Sequence, residues 1–428
     1  MKKVKVCIIG MGEFSDFFIP LFKSHPNVSE VSICDLLPER CDAAIKKHGG
    51  ITRVFKSFDD LLENGKDIEC IALFTQRHLH GPMVIDALKA GKHVFSAVPM
   101  STSIEECEKI IELVKETKLT YMTGETCYYF PCAIYCRDVY NQGKLGKFVY
   151  GESQYYHDME CFSYAFAHSG GDNWKRVAGI PPMYYSTHSI SMIVSVINEY
   201  ATKVSCMGYR DNHEDGIFGK GKNNWDNPFS NETALMQMSG GGIARINEFR
   251  RVGTGHKPSS YITCLYGDKG AYEGSVTQHV LIKGVAAGTD STHIDYVSDL
   301  VNTKHFVEEQ KAGLAGGFNI HEDPISEPAH RGFAAVHDLS RLPKAFRSCP
   351  HTVHYNSHPY LVDDFFRAVV TGKLPPNNAW DSARYMIPGI IAHESAMRDG
   401  LPMDVPDFGD APSNWEKLTF EPIDYYEE

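Results

Sequence analysis

The sequence predicts a two-domain α/β protein. A parallel sheet covered by helices on both faces spans residues 1–125. An α+β domain with a large, open, mainly antiparallel sheet spans residues 126–428. Three observations predict this. Apolar strands alternate with helical segments through residue 125, as a sheet flanked by helices requires. A Gly10-Met11-Gly12 turn leaves the first strand, and Asp35 closes the second. Beyond residue 146 the pattern changes to long strands joined by hairpin turns.

Taken in order, "KVKVCIIG" is a buried strand and "FSDFFIPLFKSH" has helical spacing. "VSEVSICD" is a strand, "PERCDAAIKKHG" a helix, and "TRVFKSFDDLLENG" a short strand and helix. "IECIALFT" and "HVFSAVP" are strands flanking the helix "HGPMVIDALKAG", which Gly91 stops. "SIEECEKIIELVKETK" and "TYMTGETCYY" complete the alternation. The second domain opens with the helix "CAIYCRDVYNQGKLG". Its strands are "KFVYGESQYYHD", "KVSCMGYR", "TALMQMSGGGIARINEFRRV" and "SSYITCLYGDKGAYEG". An Asn/Gly/Asp-rich stretch over 211–232 and an aperiodic one over 283–350 interrupt them, and loops that long commonly serve function. Two late helices follow, and the one over 380–399 is expected to pack back on the first domain.

Composition narrows the function. Hydrophobic residues make up 43% and charged residues 22% of the 428, values of a globular protein. With net charge −12, pI about 5.9 and no Lys/Arg-rich block, nucleic acid and anionic membrane surfaces are poor partners. No apolar run approaches the roughly 18 residues of a membrane span. The basic, apolar start "MKKVKVCIIG" is too short for a secretion signal and reads as the first strand. The twelve cysteines are scattered singly, which suits reduced thiols and a cytoplasmic location. Cys132 and Cys136 lie four apart with Cys127 nearby; they read as buried thiols, and no metal is expected.

The glycine turn, residues Gly10, Met11, Gly12, Glu13, Phe14 and Ser15, matches a dinucleotide-binding fingerprint with Ser15 in the third small position. The first glycine permits the tight turn, and the second lets backbone approach a pyrophosphate at a helix N-terminus. Asp35 stands about twenty residues on, where a carboxylate holds a ribose 2′-hydroxyl and repels a 2′-phosphate. This favours NAD over NADP and predicts a Rossmann domain.

The second constellation is "PPMYYSTHSISMIVSV". The apolar run from Ile190 indicates a buried helix, with Tyr184, Tyr185 and His188 on its first turn. Tyr185 and His188 are three apart and share a helical face, an arrangement that can hand protons between a sugar hydroxyl and solvent or, alternatively, packs as a satisfied core histidine beside aromatics. His157 with Asp158, and His358 at a later helix start, are weaker pocket candidates. Tyr155, Tyr156, Phe162, Tyr164, Phe166 and Trp174 suit stacking on sugar rings or a large core alike.

The chain resembles the glucose–fructose oxidoreductase / inositol dehydrogenase (Gfo/Idh/MocA) family over nearly its whole length. The likeness rests on the glycine turn, "TQRHLHGPMVIDALKAGKHV", the helix after Pro99, "YGDKGAYEG" and "GLPMDVPDF". It implies that Thr75 to His80, including Thr75 and His80 themselves, and position 97 contact the nicotinamide half of NAD. It also implies a substrate-carrying C-terminal sheet, whose broad face serves homodimers or homotetramers. Dehydrogenases of the family carry Glu-Lys-Pro where this chain has Ala97-Val98-Pro99, and Asp where it has Tyr184. A branch of NAD-dependent glycosidases, typified by α-N-acetylgalactosaminidases, has Glu-Val-Pro and Tyr-x-Thr-His at these sites. Tyr185-Ser186-Thr187-His188, "GETCYYF" with Glu125, "YYHDM" and "SHPYLVDDFFRAVVTGKLP" resemble that branch; Ala97 departs from it.

The resemblance implies hydride abstraction at C3 of a sugar. Elimination, water addition and reduction then give net glycoside hydrolysis with NAD recycled. Tyr185, His188 and, more weakly, His157 are the expected proton carriers. Gly10, Gly12, Glu13, Phe14, Ser15, Asp35, Thr75, His80, Ala97, Val98 and Glu125 are the expected cofactor neighbours. A net sugar or polyol dehydrogenase, or an inactive NAD- and sugar-binding protein, are the alternatives.

Overall fold

The computed structural model describes residues 2–159, 163–253, 261–275, 278–284, 293–311, 332–347 and 354–419. Strands β1 (Val4–Ile9), β2 (Val28–Cys34), β3 (Val54–Phe55), β4 (Cys70–Leu73), β5 (His93–Ser96) and β6 (Tyr121–Thr123) form a parallel sheet in the order β3-β2-β1-β4-β5-β6. All four residues of β4 and all but Lys5 of β1 are buried, as strands covered on both faces must be. The helix Ile104–Thr117 shows the matching pattern. Ser103 caps it by accepting from Glu106 N–H, and Cys107, Ile110, Ile111 and Val114 form its buried stripe.

In the first domain one element differs from the sequence reading. The segment after the glycine turn is not a single helix but a 3₁₀ turn, Ser15–Phe17, followed by the short helix Ile19–Ser24. Pro20 accounts for the break. It has no N–H to continue an existing helix but is well placed in the first turn of a new one.

The second sheet contains β7 (Phe148–Tyr156), β8 (Ala201–Arg210), β9 (Phe229–Met238), β10 (Ile243–Phe249), β11 (Tyr261–Gly267), β12 (Gly270–Gly274), β13 (His279–Lys283), β14 (His293–Tyr296) and β15 (Met403–Asp404). Their order is β14-β13-β12-β11-β7-β10-β9-β8-β15, antiparallel throughout except for the β7–β10 pair. In β9, buried Ala234, Met236 and Met238 alternate with exposed Leu235 and Gln237. That period of two gives the sheet one face under the helices and one open face. Helices Thr187–Ile197 and Ala379–Ala396 cover the inner face, and the latter also packs on Ile104–Thr117 and β6 of the first domain.

Of the aperiodic stretch 283–350, the described parts hold β14 and the short helices Ser298–Val301, Lys304–Lys311 and Lys344–Arg347. Residues 285–292, 312–331 and 348–350 lie outside the described residues, as does Phe162. Among the described residues, no helix is long and apolar enough to cross a membrane.

Candidate active site

The order of the first sheet reverses between β1 and β4, so the loops leaving those strands diverge and open a crevice at their C-terminal ends. The glycine turn lies there. Gly10 has φ +92°, and a Cβ on it would stand 2.6 Å from Phe74 O, so only glycine fits. A Cβ on Gly12 would meet nothing within 4 Å, which leaves backbone open to the crevice. Buried Ser15 donates to Gly12 O at 2.8 Å and closes the turn. Asp35 accepts from Met11 N–H at 2.7 Å and from Leu37 N–H at 2.9 Å, so its carboxylate is fixed at the crevice edge. This cradle fits NAD. Open backbone meets a pyrophosphate, and a fixed carboxylate meets a ribose diol while repelling a 2′-phosphate.

Glu13 is exposed. Phe14 turns inward, its ring 5.5 Å from that of His358 and 5.2 Å from that of Phe18. His358 is fully buried, stacks on Phe18 at 4.4 Å, and is held neutral by burial, with its pKa pushed down to about 3. It packs behind the glycine turn and belongs with the turn's support.

The loop after β4 carries Thr75 to His80. His80 is buried with its ring nitrogens 2.8 Å from Pro99 O and 3.1 Å from Thr75 O. Burial lowers its pKa to about 4, so one N–H clasps this loop to the Ala97–Pro99 segment. Ala97 and Val98 are 8% and 7% exposed and form an apolar wall. Thr75 Oγ1 lies against Met83 Sδ.

The substrate side is built from the second sheet and the helix Thr187–Ile197. Register across β11, β7, β10 and β9 aligns Tyr261, Tyr155, Glu248 and Glu232 side by side. Tyr155 stacks on Tyr261 at 5.0 Å and meets His188 edge-on at 4.9 Å. Tyr185 lies 5.2 Å from His188. The structure thus brings the two predicted proton carriers together, although Tyr184 and Tyr185 sit on a 3₁₀ turn, Pro182–Tyr185, ahead of the helix. Gly389 of the long C-terminal helix makes room for that turn, because a Cβ there would overlap Met183 O. Tyr184 points away, toward His393 at 5.4 Å. His157 lies just past the end of β7, its ring 5.3 Å from Tyr155. Asp158 is buried and holds Val252 and Gly253 N–H groups at 3.0 and 2.9 Å, a structural task.

Glu125, expected beside the cofactor, is fully buried beneath His188 and accepts from His188 Nδ1 at 2.9 Å and Cys127 N at 2.8 Å. As an acceptor at Nδ1 it sets the tautomer, leaving Nε2 as the basic nitrogen. Glu125, Cys127 and His188 also offer ligand atoms within 4.8 Å of one another. Burial raises the Cys127 thiol well above its ordinary range. Glu248 accepts from Ser189 Oγ and from Arg250 at 3.2 Å; burial raises its pKa to about 8. Arg250 lies 5.4 Å from the rings of both Tyr155 and Tyr185.

Sequence reasoning covered Arg77 only within the stretch Thr75 to His80, as a cofactor neighbour, and missed its approach to Tyr185. Its Cζ is 4.1 Å from the Tyr185 ring centroid, so the loop after β4 reaches the proton-carrying cluster. Trp225, in the Asn/Gly-rich stretch, meets His78 of the same loop at 6.3 Å.

Comparison with known proteins gives a consistent picture. Residues 4–125 match the family model described as "Oxidoreductase family, NAD-binding Rossmann fold" (GFO_IDH_MocA). A glycosyl hydrolase family 109 protein of Streptomyces filamentosus is 22% identical over 440 residues, 97% of this chain and 78% of the relative. The alpha-N-acetylgalactosaminidase of Shewanella oneidensis is 28% identical over 212 residues, 46% of this chain and 45% of its own. Among solved structures, levoglucosan dehydrogenase in complex with NADH and levoglucosan has TM-score 0.69 at 16% identity, covering 95% of this chain and 100% of that one. An oxidoreductase from Agrobacterium radiobacter in complex with NAD+, L-tartaric acid and magnesium has TM-score 0.65 at 14% identity, covering 94% and 98%. These two share the fold.

Proposed function

We propose, from a first domain that belongs to the NAD-binding Gfo/Idh/MocA oxidoreductase family, that this protein cleaves a glycoside by transient oxidation of the sugar. The observation that carries the reading is the 4.1 Å approach of Arg77 to Tyr185. It sets the proton-handling cluster against the loop expected to face the nicotinamide.

Bound NAD would supply the hydride acceptor at sugar C3 and return the hydride at the end of each turnover. The protein's own residues move the protons. His188, oriented by Glu125, takes the C3 hydroxyl proton on Nε2. A C3 ketone acidifies the C2–H; burial pushes the Tyr185 phenol up while Arg77 and Arg250 pull it down, and as the phenolate that those two guanidiniums stabilise Tyr185 removes the C2 proton while the C1 substituent leaves. Water adds back at C1, and the same side chains return the protons. His157, near Tyr155, is a third carrier toward the leaving group. In this scheme Ala97-Val98-Pro99 needs no lysine, because proton handling lies on the second domain. Full-length likeness to family 109 glycosidases supports hydrolysis over net dehydrogenation.

The free thiols of the ten described cysteines support a reducing, cytoplasmic setting. The open sheet face supports a homo-oligomer. The functional test is a panel of aryl glycosides with and without added NAD. Cleavage without build-up of absorbance at 340 nm is expected. Stoichiometric NADH with no released aglycone would make the protein a dehydrogenase.

A further inference from the structure

We propose that the substrate carries an anionic group, a carboxylate or a sulfate, that pairs with Arg77 beside the reacting sugar. This rests on the carbohydrate reading above and names the class of sugar.

Most of the protein's other enclosed arginines pair with a carboxylate. Arg250 pairs with Glu248 at 3.2 Å, Arg251 with Asp211 at 3.1 Å and with Asp215, Arg341 with Asp364 at 3.1 Å, and Arg367 with Asp363 at 3.8 Å. Arg137 lacks a carboxylate but donates to Ser195 Oγ at 3.1 Å and to Tyr128 O. Arg77 differs in that its side-chain hydrogen bond goes to Tyr185 of the proton-handling cluster. Among the described residues it has no carboxylate at ion-pair distance. Its guanidinium lies instead between aromatic rings, 4.1 Å from the Tyr185 centroid and 5.3 Å from that of Phe166. A half-buried guanidinium flanked by rings loses part of its hydration, and a counter-charge in fork geometry restores the balance.

The surroundings favour a ligand as that counter-charge. Arg250 faces the same tyrosine ring at 5.4 Å. Its own carboxylate partner is Glu248, and Glu125 is committed to His188. Two guanidiniums thus face the one tyrosine ring, and Arg77 is the one of the two with no carboxylate at ion-pair distance among the described residues. The pyrophosphate seat is the glycine turn, whereas Arg77 faces Tyr185 and Phe166 of the second domain. The pairing is thus assigned to substrate and not to cofactor.

The test is calorimetric titration of the NAD-saturated full-length protein. The ligands are D-galactose, D-galacturonate, D-galactose 6-sulfate and, as a non-sugar dianion, tartrate. The variants are wild type, Arg77→Gln and Arg77→Lys. The charged sugars should bind about ten- to hundredfold tighter than galactose, as a charge-assisted pair implies. Arg77→Gln should erase that ratio and Arg77→Lys restore part of it, with NAD affinity unchanged in both. Carboxylate and sulfate arms show which group the site prefers. Equal binding of neutral and charged sugars, or a ratio that survives Arg77→Gln, overturns the inference and leaves the carbohydrate reading standing. Loss of NAD affinity in Arg77→Gln also overturns it, by moving the arginine to the cofactor. Binding of tartrate alone, lost in Arg77→Gln, keeps the anion site and sinks the carbohydrate reading. No binding of any ligand overturns both.

Discussion

His188 can act as a directional base only if its other nitrogen is held, and Glu125 holds it at 2.9 Å from within a fully buried position. Glu125→Gln keeps an acceptor but removes the charge. Steady-state kinetics should show kcat falling about ten- to hundredfold with KM little changed; an unchanged kcat would remove Glu125 from the mechanism. Glu248 makes a separate prediction about pH. Its folded pKa of about 8 lies above its unfolded value, so the folded state holds a proton that the unfolded state has lost between about pH 4.5 and 8. Stability from this group is complete below that window and declines as pH rises through it. Urea unfolding from pH 5 to 8.5 should show the decline, and Glu248→Gln should flatten it. The residue scale is also where the sequence was only partly legible. Tyr185 and His188 share a local spacing that reads directly. Glu125 reaches His188 across 63 residues of chain, and Tyr155, Glu248 and Tyr261 meet only through strand register. Local periodicity carries no signal for such meetings.

At the scale of elements, the two glycines of the first turn separate structure from function. Gly10→Ala places a Cβ against Phe74 O at a left-handed φ and should cost about 1–3 kcal/mol in thermal or urea unfolding. Gly12→Ala meets nothing in the protein, so its stability should hold while NAD affinity falls at least about tenfold. Equal stability losses in the two variants would contradict this division. The second-sheet strands and most helices were legible because their buried residues recur at 2 or 3.6, as in β9 and Ile104–Thr117, and the first-sheet strands because they are short continuous apolar runs, as in β1 and β4. The exceptions share a cause. Pro20 and Pro182 each start a new short element inside an apolar run that periodicity reads as continuous helix.

At the scale of the whole molecule, the open face of the second sheet exposes Val149, Met207, Tyr209, Leu235 and Ile243. An apolar face of this kind on a nine-stranded sheet calls for a partner surface, and a second copy is the expected one. Light scattering after size exclusion should give a dimer or tetramer mass, and Met207→Glu with Leu235→Lys should reduce it to the monomer. Both domains also meet at the site, since Arg77 comes from one and Tyr185 from the other. The central claim is that this junction oxidises a sugar transiently, with proton loss at C2, to break its glycosidic bond. The most direct test is turnover of an aryl glycoside in deuterated water, followed by NMR or mass analysis of the released sugar. Deuterium at C2 with no net NADH is the predicted result; a released sugar with hydrogen retained at C2 would contradict it.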